Sequence, residues 1–427
     1  MLPLRGQYAG PAILSRGEAP AAMAGPTIEF RPFVSVTGTY SAGLSGVSVV
    51  NSQGDLPNDA DYGVTVSGGI SGSHKWRHTL LGIDYRISFT HYARSSFYDA
   101  VDQGMSLGLT HQITRHVTFT LRETPGMFSR QSVNVGLSQA VPFDPSQSNI
   151  PRTDFYDNRT IYNSTQADLQ IQKTARLSFD MGGGLFVVVR RSSALYGTVG
   201  ALARGDIQYR VSRRSTVGVT YNYSLYHYLG ILSNTTVHGL AGTYAVRLSR
   251  LLEFSGYAGA ARVESKFIQS VAVDPAVAAL LGITSTQILN HQMHYYPNFS
   301  ARLSRTFSRG VAYVAGGESV TPGNGLFLAS RTASVVGGYG YTGLRHWSIG
   351  LSASYIKSFS FINNVGNYGG VAGSFSISRQ LMHNVNFVAA FTANQYQSSS
   401  FQKYNRLIYS ASVGLGWTPG DVPLRIW

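Results

Sequence analysis

A strict period of two, held over segments long enough to cross a bilayer, most constrains what this chain can fold into. From Trp347 to Ser358, the residues Trp347, Ile349, Leu351, Ala353 and Tyr355 take one face of an extended segment, and Ser348, Gly350, Ser352 and Ser354 take the other. Leu407 to Trp417 repeats the pattern: Leu407, Tyr409, Ala411, Val413 and Leu415 alternate with Ile408, Ser410, Ser412 and Gly414. Leu81–Thr90, Val117–Arg122, Val199–Val211 and Val385–Thr392 read the same way. Successive side chains of a strand point to opposite faces, so each segment has one apolar face and one small, polar face. A lipid-facing strand needs roughly 9–11 residues of this alternation.

A soluble antiparallel sandwich also alternates, because its outer face meets water. Composition separates the two cases. Only 13% of residues are charged, with 47 glycines and 26 tyrosines, against about a quarter charged in a soluble domain. The polar face is therefore mostly small, and lacks the Lys and Glu of a solvated sheet. Spanning helices are excluded, because each needs roughly 20 mostly apolar residues and the best runs, Leu185–Val189 and Ala276–Ile283, are far shorter. The absence of cysteine fits an oxidising envelope compartment.

Alternating segments recur at 31–43, 61–73, 78–91, 101–114, 117–125, 160–173, 177–190, 195–212 and 215–228. They continue at 236–249, 252–265, 293–305, 310–319, 328–342, 347–358, 367–380, 384–397 and 404–417. The expected fold is all-β: a transmembrane antiparallel up-and-down barrel of about 18 strands. Its expected divisions are an N-terminal periplasmic or poorly ordered segment over 1–30, the barrel over 31–417 and a tail over 418–427 ending in an aromatic. Met1–Phe30 contains Arg5, Arg16 and Glu18 and no 7–15-residue apolar core, so no secretory leader is legible in it.

The connections alternate in length. Tight turns fall near Lys75, Arg115, Ala175, Arg213, Arg250, Arg309, Arg345 and Met382, and long loops cover 44–60, 126–158 and 266–292. Short periplasmic turns and long extracellular loops are the asymmetry of outer-membrane barrels, and an even strand count puts both termini on the periplasmic side. Net charge is +14, which raises nucleic-acid binding as a first thought. Each tight turn carries a basic residue at or beside it, among them Lys75, Arg115, Arg176, Arg213, Arg250 and Arg309. Much of the charge thus forms a ring, which suits anionic headgroups and argues against nucleic acid. Aromatic residues gather at two levels: Trp76, His78, His116, His346 and Trp347 beside the turns, and Tyr92, Tyr98, Tyr226, Tyr228, Tyr295, Tyr296 and Tyr396 near the opposite ends. Two such levels are expected of interfacial girdles.

Parity turns Asp84, Arg86, Arg122, Asp168, Gln170, Gln172, Asp180, Arg204, Asp206, Arg210 and Arg247 toward the lumen. Charge is costly against lipid and cheap in a wet interior, so these residues are expected to line a net basic, anion-preferring pore, or to brace its wall as Arg–Asp pairs. Loop 126–158 carries Asp144, Asp154 and Asp157. It is the third long-side loop, and here the chain resembles general porins, whose third loop folds inward as an acidic constriction; the resemblance implies that role for these aspartates. In loop 266–292, Asp274-Pro275 ahead of an apolar run is a helix start.

Signals for an enzyme are weak. Gly338–Gly343 matches G-x-G-x-x-G but runs along a strand with no helix after it, so it does not meet the dinucleotide-binding requirement. His-Glu-x-x-His, Gly-x-Ser-x-Gly and Walker patterns are absent. His91 with Asp99 or Asp102, and His227 or His238, are the groups a rim-sited hydrolase would use. No catalytic residue, metal site or cofactor is expected.

Residues 31–417 as a whole resemble porin-like β-barrels of the bacterial outer membrane, including a group associated with exopolysaccharide export. The resemblance implies a passive channel for small hydrophilic solutes. The alternatives are an accessory barrel for exopolysaccharide or envelope-component export, and a structural or adhesive barrel with a closed lumen. The implied partners are outer-membrane lipid, the barrel assembly machinery and small solutes, with homo-oligomer formation left open. Trp427 is the terminal aromatic that such machinery reads, although Pro419 and Pro423 allow the recognised strand to end at Trp417.

Overall fold

The computed structural model describes residues 27–44, 59–94, 99–128, 159–191, 195–272, 285–323, 328–341, 343–344, 347–361, 367–382, 384–398, 406–419 and 422–425. The strands are β1 (Thr27–Leu44), β2 (Asp59–Lys75), β3 (Thr79–Tyr92), β4 (Ala100–Thr114), β5 (Val117–Glu123), β6 (Gly126–Phe128) and β7 (Thr160–Gln172). There follow β8 (Leu177–Arg190), β9 (Gly197–Arg210), β10 (Ser215–Leu229), β11 (Ser233–Arg247), β12 (Leu252–Ala272), β13 (Ser285–Phe307) and β14 (Gly310–Thr321). The series ends with β15 (Ser330–Tyr341), β16 (Trp347–Ser360), β17 (Asn367–Met382), β18 (Val385–Ser398), β19 (Arg406–Trp417) and β20 (Val422–Arg425).

Each strand pairs antiparallel with its neighbours in chain order, and β19 returns to β1, with Val34 opposite Trp417 and Ala42 opposite Tyr409. The sheet is thereby closed and has no free edge along its wall. β5 and β6 occupy one wall position. The offset that sets Leu107 opposite Glu123 also sets Gly104 opposite Gly126, so the register runs unbroken past Pro125. Proline has no N–H to give the ladder, yet the Pro125 carbonyl still accepts from the Met105 N–H at 2.9 Å. β20 lies against the first residues of β1, below the end of β19. The result is a closed barrel of eighteen strands with one extra strand.

The short turns fall where expected, at Trp76–His78, Arg115–His116, Lys173–Arg176 and Val211–Arg214, and their basic residues are exposed. β1 ends in a bulge at Gly43, whose φ of 81° suits a residue without Cβ. A Cβ there would also collide with the Leu407 carbonyl.

Exposure follows parity. Val34, Val64, Met181, Leu185, Val219, Leu240 and Val413 are exposed on the outer face. The alternate positions Ser35, Thr37, Thr220, Ser410 and Ser412 are buried on the inner face. Leaving one Leu-sized side chain in water forgoes roughly 1.5–3 kcal/mol, so a belt of them right round a closed wall calls for lipid as solvent. This is an outer-membrane-type transmembrane barrel.

Three expectations change. β12 and β13 are much longer than the segments 252–265 and 293–305, so both ends of loop 266–292 are strand; the helix expected after Asp274 lies outside the described residues. Tyr92, Tyr226, Tyr228 and Tyr296 belong to no girdle. Their parity faces inward, and all but the partly buried Tyr296 are buried there. The segment read as a tail contains β20, with Pro423 opposite Glu29.

Candidate functional site

The lumenal wall carries its main charge cluster on β7, β8 and β9. Register places Asp168, Gly182 and Arg204 opposite one another across three strands, and Gln170, Asp180 and Asp206 in the next row of that face. Arg204 is held by three carboxylates: Nη2 lies 3.0 Å from Asp168 and 3.0 Å from Asp180, and Nε lies 2.8 Å from Asp206. Asp168 and Arg204 are two strands apart, about 10 Å at the usual strand spacing. They meet because Gly182 stands between them, where a Cβ would collide with the Asp168 carboxylate. Asp206 is almost wholly buried, and Arg204 is 7% exposed.

The other expected lumen residues are more dispersed. Asp84 and Arg86 form a bidentate pair on the inner face of β3, with both contacts at 2.7 Å. Such fork-to-fork geometry is the strongest form of the pair. Arg247 bonds Glu253 of β12 at 2.8 Å, a partner that parity alone does not reveal. Arg122 lies opposite Gln166 on the inner face, and Arg210 is exposed close to a short turn. The structure therefore brings Asp168, Asp180, Arg204 and Asp206 into one cluster, sets Arg122 one inner-face row from Asp168 on the adjoining strand β5, and places Asp84–Arg86, Arg210 and Arg247 elsewhere on the wall. Asp144, Asp154 and Asp157 lie outside the described residues.

A second feature occupies the extracellular half of the lumen. Tyr162, Phe186, Val188, Tyr226, Tyr228, Val237, Ala261 and Val263 point inward from the upper ends of β7, β8 and β10–β12 and bury one another. Leu328, Ala329 and Phe361 join them from the β14–β15 connection and the end of β16. Tyr228 donates a hydrogen bond to the Pro322 carbonyl at 3.2 Å, and the Tyr296 and Phe361 rings are 4.9 Å apart. Four strand positions separate β10 from β14, so Pro322, Leu328 and Ala329, at the two ends of the β14–β15 connection, reach into the lumen to make these contacts. The connection turns at Gly323, with φ of 78°. Among the described residues, the connection residues that reach inward are thus Pro322, Leu328 and Ala329. The apolar pair Leu328-Ala329 ahead of β15 was the available sequence signal.

The histidines do not assemble. His91 bonds Asp99 at 2.8 Å, but Asp102 has the opposite parity and faces inward. His238 bonds the Tyr221 hydroxyl at 2.8 Å on a different stretch of wall. Among the described residues there is no group of three or more His, Cys, Asp or Glu that could hold a metal ion.

No family model matches the chain, and no curated protein matches it. Among solved structures it is similar to Pseudomonas aeruginosa OpdQ, at 10% identity and a TM-score of 0.42, over 93% of this chain and 98% of that one. Pseudomonas aeruginosa OccK2 (OpdF) gives the same figures. A BenF-like porin from Pseudomonas fluorescens Pf-5 gives 10% identity and 0.41, over 93% and 99%. The likeness is one of barrel architecture. It lends no support to the exopolysaccharide-associated resemblance.

Proposed function

We propose that this protein is an outer-membrane channel through which small hydrophilic solutes diffuse passively. One observation carries the reading: a closed eighteen-strand wall with an apolar outer face and an inner face of Ser, Thr, Gly and paired charges. Barrels of this strand number enclose a lumen wider than side chains can fill. The chemistry of the inner face is that of a wet wall.

The finer reading is a modest preference for anions. Arg210 and Arg302 place cations on the inner face, while Asp84–Arg86 and Arg247–Glu253 cancel internally. The Asp168–Asp180–Asp206 group encloses Arg204 and opposes the preference locally, which keeps it small. The apolar cluster beside Tyr228 favours, as a second reading, a structural barrel whose lumen is closed.

Single-channel recording of the purified protein in planar bilayers tests both readings. Stable conductance with a reversal potential on the anion side of zero is expected in a KCl gradient. Folded, heat-modifiable protein that never conducts would overturn the channel and leave the closed barrel.

A further inference from the structure

The outer face of the β12–β13 pair changes character along its length. Outward positions on β12 run Phe254, Gly256, Ala258, Ala260, Arg262, Glu264 and Lys266, while their inward neighbours Ala261, Val263, Ser265 and Phe267 are buried. On β13 the matching outward residues are Leu303, Ala301, Phe299, Pro297, Tyr295, Met293 and His291. From the periplasmic turn at Leu252 to Arg262 the strand climbs about 34 Å, or about 26 Å along the barrel axis at a tilt of about 40°. An outer-membrane apolar band is about 25 Å tall. The change from Ala260 to Arg262 therefore falls at the outer-leaflet boundary, where Tyr295 is also exposed.

Above that boundary a charged group projects sideways toward the lipid headgroups. Glu264 sits at its centre, 2.9 Å from His291 and 3.4 Å from both Arg262 and Lys266. The Arg262 Nε lies 3.1 Å from the Met293 sulfur, which steadies the guanidinium against the wall. The side chains round it are about half exposed, at 46% for Arg262, 49% for Lys266 and 54% for His291, against 24% for Glu264. The carboxylate is thus covered by the cations it organises, and the face offered outward is positive.

We propose that this face binds the phosphorylated headgroup of an anionic outer-leaflet lipid, whose acyl chains lie along the apolar column of Ala258, Ala260, Pro297 and Phe299. Arg262 and Lys266 supply the charge-assisted hydrogen bonds to phosphate, and Glu264 holds them apart so that both face the lipid. The binding depends on the barrel's placement in the membrane and not on conduction, so its failure leaves the channel reading untouched.

The chain has no cysteine, so Leu240→Cys on the adjacent strand carries a single bimane reporter. The full chain in detergent micelles is titrated with diphosphorylated lipid A and, separately, with its dephosphorylated form. The diphosphorylated lipid should shift the emission at markedly lower concentration. The double variant Arg262→Ser/Lys266→Ser should weaken that response at least fivefold, and Glu264→Gln, whose carbonyl still accepts from both cations but carries no opposing charge, should strengthen it. Equal responses to the two lipids, an unaffected double variant, or full displacement of the lipid by millimolar inorganic phosphate would each overturn the proposal. Heat-modifiability on a gel confirms that each variant is folded.

Discussion

Replacing Arg204 by Gln takes the shared cation out from among Asp168, Asp180 and Asp206. Asp168 and Asp180 each approach the same nitrogen at 3.0 Å, so their oxygens stand no more than about 6 Å apart. Unit charges at that distance repel by about 2.8 kcal/mol at an effective dielectric of about 20. The wall should loosen by an amount of that order, because removing one partner of a buried pair strands the other. The second effect is on ions. Removing one positive charge about 6 Å from a permeating ion changes its energy by about 0.7 kcal/mol in water, and by about 0.4 kcal/mol after screening at 0.1 M salt. A cation gains that amount and an anion loses it, so the cation-to-anion permeability ratio should rise about fourfold. Reversal potentials across a KCl gradient measure the ratio, and the gel heat-shift temperature measures stability. Arg204→Lys keeps the charge but cannot reach three carboxylates with a fork, so it should lower the heat-shift temperature and leave the ratio alone. An Arg204→Gln channel with unchanged or more anionic selectivity would refute the claim that this cluster faces the permeation path.

Tyr228→Phe removes the bond to the Pro322 carbonyl, worth about 1 kcal/mol net, and should free the β14–β15 connection, raising mean conductance or open-channel noise; identical single-channel records would count against an inward-folded segment. Val219→Arg, near the middle of the lipid belt, should cost roughly 2–4 kcal/mol in folding equilibria from denaturant, while Asn222→Arg on the inner face should cost far less; equal losses would contradict the assigned faces. Asp99 lies outside the strands, where burial raises its carboxyl pKa but the Tyr92 N–H at 2.9 Å and the His91 ring at 2.8 Å outweigh it and hold the group below the ordinary carboxylate range. Its contribution is therefore present above the ordinary carboxylate pKa and is lost only as pH falls through the lowered value; a carboxyl NMR titration with its midpoint at or above the ordinary range would disprove the pairing.

The alternation of Trp347–Tyr355 and of Leu407–Leu415 is local, and it was enough to identify strands, their two faces and the solvent on each. Strand order followed as well, because an up-and-down barrel pairs each strand with the next and tight turns leave little freedom of register. The same local rule misread β12 and β13 at their upper ends. Lys266 and His291 lie just beyond the expected strand ends and occupy outward positions above the lipid belt, where the apolar half of the alternation disappears although the strands continue. It also placed Tyr226 and Tyr228 in a girdle by level, although their parity turns them inward.

Parity could place Asp168, Asp180, Arg204 and Asp206 on the inner face, but not in contact. That depended on the registers of β7–β8 and β8–β9 and on the gap left by Gly182. The apolar cluster under Tyr228 was further from view, since it joins the ends of strands to a connection nearly a hundred residues away. The period of two, by itself, determined that this chain makes a lipid-facing barrel of about eighteen strands with its short turns on one side, because facing depends only on neighbours along the chain. Which charges meet and which loop enters the lumen was decided by the closed tertiary structure alone, because those contacts depend on cross-strand register and on how a loop packs across the lumen, and neither repeats along the sequence.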